Sequence, residues 1–284
     1  MPKTLSAKIE KPTRAFLPAN FVISDWTAIA PYFENLEERP LHTSDDMEKW
    51  LKDMSELEAV ISEDVSWRHI RMTCNTEDKK LQDNFTFFMM EIQPKIQPYA
   101  DRLNRKLIDC PLTNSLDQQK YFTYLRSVKK SIELFREENI PIQSELSVLG
   151  QQFGAISGKM TVNVDGQEYT LQQAMKFLEN PDRSLRENVY RKVQERRLQD
   201  KDALNKLFTE LVVRRDLLAR NAGFANFRDY KFVEMGRFDY TREDCYRFHD
   251  SVKQHILPLV EIIHQYKHGR SDGARGKKDR YHGI

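Results

Sequence analysis

Glycine is scarce in this chain: ten residues among 284, and four of them (Gly269, Gly273, Gly276, Gly283) crowd the last sixteen positions. A body so poor in glycine has few positions for left-handed backbone, which argues against an architecture of many tight β-turns. Cysteine is scarcer. Cys74, Cys110 and Cys245 are far apart and odd in number, so they exclude a disulfide scaffold or a zinc knuckle and fit reduced thiols in a cytoplasmic protein. No run of about eighteen apolar residues occurs, so no membrane-spanning helix is expected. The opening MPKTLSAKIEKPTRAF has no apolar core of signal-peptide length. Nor does either sign of charge dominate: 45 Lys and Arg stand against 43 Asp and Glu. That balance gives no electrostatic case for a nucleic-acid partner.

What is present is a charge-rich sequence, 39% hydrophobic and 31% charged, whose apolar residues recur at helical intervals. The proline-bearing segment to about Phe21 reads as extended. Asp25 is a plausible N-cap for a helix carrying Trp26, Ile29, Phe33 and Leu36 on one side. After Pro40, Ser44 caps a second helix. Met47, Trp50, Leu51, Met54, Leu57 and Ile61 line one face of it, with Asp45 and Asp46 at its positive end. Thr76 caps a third, which Pro94 and Pro98 interrupt. Helical patterns resume over 117–138 and 143–157, then run from about Ser184 to Asn221 and from Thr241 to His268. The single β signal is KMTVNVDGQEYTL, where alternating Met160, Val162 and Val164 meet an Asp165-Gly166 turn. Thr170 and Gln173 form a capping box for the next helix, which stops at Asn180-Pro181. The fold class is therefore mainly α, a large multi-helix array with one β-hairpin near residues 159–170.

Candidate chemistry is thin. GAISGKM (154–160) approaches a phosphate loop. It has three residues between Gly154 and Gly158 where four are needed, and Met160 in place of the magnesium-binding hydroxyl. Gly150, Gly154 and Gly158 read better as a slim helix face for close approach of another helix, with Gly158 as a C-cap. HQYKH (264–268) sets two imidazoles side by side on a helix, the spacing that brackets zinc. Position 265, though, is Gln265, which cannot serve as the base beside the metal, and the downstream carboxylates Asp272 and Asp279 lie in a glycine-rich tail. With Val260, Ile263, Tyr266 and Lys267 as the buried stripe, His264 is a polar flank. His249 and His255, six apart, diverge on a helix. Mixed-sign clusters such as QERRLQDKD (194–202) are solvated faces. No catalytic, cofactor-binding or metal-ligating residue is assigned.

Longer phrases carry more. FREEN (135–139), the SGKMTVNVDGQEYTL hairpin, NPDRSLRE (180–187), RNAGFANFRDY (220–230) and FDYTREDC (238–245), together with WLKDMSELEAVISE, resemble the N-terminal half of oligoendopeptidase F, of the thimet-oligopeptidase-like zinc metallopeptidases. The resemblance extends from about residue 20 to 268. It implies part of a two-lobed, mostly helical enzyme with a deep channel, cleaving internal bonds of short unstructured peptides. Zinc in such enzymes is held by two histidines of an H-E-x-x-H helix and a glutamate from a following helix. No H-E-x-x-H occurs in these 284 residues, so no site residue carries over and no zinc is expected on this chain alone. The family is one of enzymes, and the motif that makes it one is absent here.

The implied organisation is an N-terminal helical region (1–112), a helical and hairpin region (113–182), an incomplete beginning of the catalytic region (183–268) and an atypical tail (269–284). That tail carries a net charge of +3, whereas the preceding 268 residues sum to −1. The break is expected to mark disorder through frameshift, truncation or joining. Expected partners are short unstructured peptides, with no nucleic acid and no membrane. Apolar residues such as Leu257, Leu259, Val260 and Ile263, short of packing partners, favour self-association. The alternative is a peptide-binding or complementing helical module without catalysis.

Overall fold

The computed structural model describes residues 13–274, with side chains as far as Tyr266. The chain divides into a large unit ending at Glu234 and a smaller one beginning at Met235.

The large unit starts with a non-helical strap, residues 13–24, which bends at 15–17 and turns at 19–20 instead of staying extended throughout as expected. It ends where Asp25 caps α1 (Trp26–Glu38) by accepting from the Ala28 amide. Glu56 holds the strap from the next helix. Its carboxylate accepts the amides of Ala15 and Leu17 at 2.8 Å each and that of Phe16 at 3.1 Å. Partial burial works to raise the Glu56 pKa, but those backbone donors and the charge of Arg14 outweigh it, and the carboxyl is held below its ordinary value.

Helix α2 (Ser44–Cys74) runs 31 residues, about 45 Å at 1.5 Å per residue. Its cap is Thr43, not Ser44. Thr43 and Asp46 form the full reciprocal box, and Ser44 is already helical. The inward face is the expected stripe: Met47, Trp50, Met54 and Leu57 are almost wholly buried. The end of α1 is sealed from two sides. Trp50 Nε1 donates to the Leu36 carbonyl at 2.8 Å. Lys106 Nζ donates to the carbonyls of Leu36, Glu37 and Arg39 at 2.9, 2.8 and 2.6 Å. One ammonium thus satisfies carbonyls that a helix terminus leaves without intrahelical donors.

Asp78, and not Thr76, caps α3 (Lys79–Phe87), accepting from the amides of Lys80 and Leu81. Pro94 and Pro98 do not break the chain out of helix. A wide π-helical turn, Phe88–Ile92, comes first, and α4 (Gln93–Asp109) then takes Pro94 in its opening turn and Pro98 inside. Pro94 has no N–H to give, and the wide turn ahead of it absorbs the mismatch in the ladder. A 3₁₀ turn, Pro111–Ser115, leads to α5 (Gln118–Leu134), capped by Asp117. Buried side chains of the strap, α1, α2, α4 and α5 make one continuous apolar core.

Helix α6 (Asn139–Gly158) leads into the hairpin of β1 (Thr161–Val164) and β2 (Gln167–Thr170), antiparallel with Val164 opposite Gln167. Asp165 and Gly166 both take positive φ, 52° and 85°, as a two-residue type I′ turn requires. Val162 and Val164 pack on Ala174 of α7 (Leu171–Met175) and on Val189 and Val193 of α8 (Arg183–Gln199). The Thr170–Gln173 box is present, and the helical run ends at Asn180 after a 3₁₀ turn. The expected long helix from Ser184 to Asn221 is two: α8 closes at Asp200, and α9 (Lys201–Asn221) begins directly after it. Asp200 takes the Arg196 guanidinium at 2.5 Å on its side chain, while its carbonyl accepts the Leu204 amide.

At the end of α9 lies RNAGFANFRDY. Gly223, at φ 86°, receives the chain as it leaves the helix; its amide reaches the Arg220 carbonyl and that of Phe224 reaches Ala219. That is a Schellman closure. Asn226 then starts α10 (Phe227–Glu234), its side chain accepting the Asp229 amide at 3.0 Å. The phrase FREEN meets this turn in space. Asn139, 2% exposed, donates to the Leu218 carbonyl at 3.0 Å and accepts from Asn221 Nδ2 at 2.8 Å. Burial, helped by the charge of Glu234, pushes the Tyr230 phenol up to about 12.

The smaller unit holds α11 (Arg242–His255), capped by a Thr241–Asp244 box, and α12 (Leu257–Ala274). The expected single helix from Thr241 to His268 breaks at Ile256, two residues before Pro258, whose ring and missing N–H do not fit a helix interior. The second helix extends to Ala274, past the expected start of the atypical tail. The rest of that tail lies outside the described residues.

Candidate substrate-binding site

The histidines do not converge. On α12, His264 is solvent-exposed, and the His268 side chain lies outside the described residues. Val260, Ile263 and Tyr266, expected as the buried stripe of this helix, are instead 37%, 52% and 63% exposed. His249 and His255 are both exposed on α11. Among the described residues no three His, Cys, Asp or Glu side chains come together as a metal site needs. Cys74, Cys110 and Cys245 are free thiols.

Concave surface is found in the large unit instead. A cleft of about 440 Å³ lies between the C-terminal part of α2, α3 and α6, lined by His69, Met72, Thr73, Phe85, Gly150 and Gly154. This corrects the reading of the glycine stripe. A Cβ added to Gly150 or Gly154 meets nothing within 4 Å, so no helix lies against them and they open the cleft instead. Only Gly158 has the expected close neighbour, since a Cβ there would stand 2.8 Å from Thr76 Oγ1. It is also the last residue of α6 and not a left-handed cap. The walls are fixed by Thr86, hydrogen-bonded to Gln151 at 3.1 Å, and by the ring contact of His69 with Phe85 at 5.5 Å.

A second, smaller cleft of about 260 Å³ cuts into the main core between α1, α2 and α4. Its floor is apolar, formed by Phe33, Met54, Leu57 and Leu103, and its polar rim includes Glu58, Ser62 and Gln93. Glu58 escaped the sequence reading although the signal was present. At about 100° per residue, it falls within the arc of the apolar stripe that runs from Met47 to Ile61. The structure leaves it solvent-exposed at the cleft's edge. Surrounding protein raises its pKa through desolvation, and its negative charge in turn adds to the burial that raises the pKa of Tyr124. A third hollow, about 520 Å³, lies beside the hairpin and is lined by Tyr169, Gln173, Lys176 and Phe177.

Among the described residues the chain is nearly all helical, with one two-stranded antiparallel sheet. Its fold is that of three solved peptidases. A 3.1 Å structure of an oligoendopeptidase F superposes with TM-score 0.82 at 22% identity, covering 91% of this chain and 45% of that one. An oligoendopeptidase F from Bacillus anthracis str. Ames gives 0.83 at 18%, covering 95% and 49%. PZ peptidase A with inhibitor 2 gives 0.78 at 19%, covering 88% and 43%. No curated protein matches. The peptidase M3 N-terminal domain model matches residues 16–135, and the peptidase family M3 model matches 176–281. The chain belongs to peptidase family M3. The second match passes His268, where the resemblance read from the sequence phrases ends.

The chain spans just under half the length of each of those solved structures. The donors among the described residues do not fit the zinc that the family's chemistry implies, so no hydrolytic step is assigned to them. Among the described residues no helix is long and apolar enough to cross a membrane.

Proposed function

We propose that this chain is the peptide-gripping, N-terminal part of a zinc-dependent M3 oligoendopeptidase, and that peptide-bond hydrolysis needs an H-E-x-x-H helix that these 284 residues do not contain. In this reading residues 1–112 and 113–182 form the binding lobe, and 183–268 begin the catalytic region. One observation carries it: models of a single peptidase family match both 16–135 and 176–281, while the sequence holds no copy of the zinc motif. The cleft between α1, α2 and α4 lies wholly within the first match, and an apolar-floored cleft there supports short, unstructured peptides as ligands. Free thiols support a reducing, cytoplasmic setting.

Exposed apolar residues on α12, among them Leu257, Leu259 and Ile262 at 48%, 55% and 60%, support association of this helix with further protein, including a second copy of the chain. The test is a titration of the intact chain with unstructured peptides of five to ten residues, monitored by fluorescence polarisation. Saturable binding is expected. Absence of binding up to millimolar peptide removes the peptide-gripping role. A helical module that binds and never takes part in cleavage is the second reading, favoured if an added zinc-bearing fragment restores no hydrolysis.

A further inference from the structure

Two glutamines in the wall of the α2–α3–α6 cleft are each held at one end only. Gln82 Nε2 donates to the Thr76 carbonyl, and Gln151 Oε1 accepts from Thr86 Oγ1 at 3.1 Å. Those bonds fix the polarity each amide has left. Gln82 keeps an acceptor, Oε1, and Gln151 keeps a donor, Nε2; among the described residues neither atom has a partner. One acceptor and one donor in a single cleft match the N–H and C=O of peptide groups. Thr73 and Ser147, also in the lining, spend their hydroxyl protons on carbonyls of their own helices at 3.0 Å. Much of the remaining wall is apolar: Met72 and Phe85 are 4% and 7% exposed, while Phe153, at 55%, is open to solvent. Gly150 and Gly154 complete it. Both lie inside α6, where glycine is less favourable than alanine, and open space lies where their Cβ atoms would stand. Packing within the chain therefore does not account for them.

We infer that this cleft is a subsite for an aromatic residue of an extended peptide, its ring laid on the Gly150–Gly154 strip and its flanking peptide groups held by Gln82 Oε1 and Gln151 Nε2. At 1.5 Å per residue the two glycines bare about 6 Å of helix backbone. A flat ring can approach such a strip more closely than a turn that carries side chains. Phe85 and Phe153 offer it further ring contacts, of the kind that aromatic pairs make at roughly 4.5–7 Å and that His69 already makes with Phe85 at 5.5 Å. The volume, about 440 Å³, falls within the range of roughly 300–1,000 Å³ for small-molecule sites. That is room for one large side chain with its peptide groups, and not for a folded partner. That the ring arrives on a peptide rests on the function proposed above; the preference for a ring on the glycine strip does not.

The test is calorimetric titration of the intact chain with N-acetylphenylalaninamide and with three pentapeptides, blocked at both ends, that differ only in a central phenylalanine, leucine or alanine. The phenylalanine peptide should bind about tenfold more tightly than the alanine peptide, with leucine between them, as ring contacts added to apolar burial require. Gly150→Ala combined with Gly154→Ala should cancel the phenylalanine preference while melting above wild type, so that lost binding is not lost folding. Gln151→Met, which keeps the length of the side chain and removes its amide, should weaken all three peptides alike. Unchanged affinity in that variant would overturn the glutamine contact. Equal binding of the three peptides, or a phenylalanine preference that survives both glycine substitutions, would overturn the subsite and leave peptide gripping intact. Saturable binding of N-acetylphenylalaninamide that the glycine substitutions abolish, with no pentapeptide bound, would uphold the ring site and remove its peptide role. No binding of any probe up to millimolar concentration overturns both.

Discussion

Replacing Asn139 by alanine should destabilise the large unit by about 3 kcal/mol. The side chain is 2% exposed and makes two bonds, to the Leu218 carbonyl at 3.0 Å and from Asn221 Nδ2 at 2.8 Å. At about 1 kcal/mol net for each bond, the pair accounts for roughly 2 kcal/mol. The Leu218 carbonyl keeps the Ala222 amide at 3.3 Å, so it is not orphaned. The half-buried Asn221 amide is, and leaving it without a partner adds about 1 kcal/mol. Urea unfolding should show the change as a lower midpoint with an unchanged slope, and thermal melting should fall by roughly 6–12 °C at about 2–4 °C per kcal/mol for a domain of this size. Asn221→Ala breaks only the shared bond. In the double variant the losses should therefore fall short of additivity by about 1 kcal/mol. A loss below about 0.5 kcal/mol for Asn139→Ala, within the range of ordinary surface changes, or full additivity, would refute the claim that this clip holds α6 to the end of α9.

Neighbouring elements give two further outcomes. Glu56→Ala should speed hydrogen exchange at the Ala15, Phe16 and Leu17 amides by about thirtyfold, for some 2 kcal/mol of charge-assisted bonding. Because the folded Glu56 pKa lies below its ordinary 4.5, its contribution is complete above that value and is lost as pH falls through the lower folded value. Strap protection that stays constant through that descent would contradict the assignment. Gly150→Ala and Gly154→Ala should each stabilise α6 by about 0.5–1 kcal/mol, since a methyl there meets open space and alanine is the better helix former. Gly158→Ala should not gain, because of Thr76, and equal gains at all three positions would refute the distinction.

Most of the helices were legible because burial and local caps agree. The stripe on α2, the type I′ turn at Asp165-Gly166 and the Thr170–Gln173 box are each set by residues within a few positions of one another. Caps slipped by one or two residues where two candidates compete, as Thr43 with Ser44 and Asp78 with Thr76. The breaks at Asp200 and Ile256 were hidden because apolar periodicity runs on through them, although Pro258 marks the second. What sequence periodicity could not reach is non-local: that Asn139 of one phrase reaches Leu218 and Asn221 at the edge of another, and that Gly150 and Gly154 face a cleft and not a helix.

The central claim is that this chain grips peptides but lacks its own hydrolytic centre. Zinc content of the purified chain by elemental analysis, paired with cleavage of a quenched fluorescent peptide, addresses it directly. The expected result is no stoichiometric zinc and no cleavage while the same peptide binds. One zinc per chain, with hydrolysis in the absence of any other polypeptide, would contradict it.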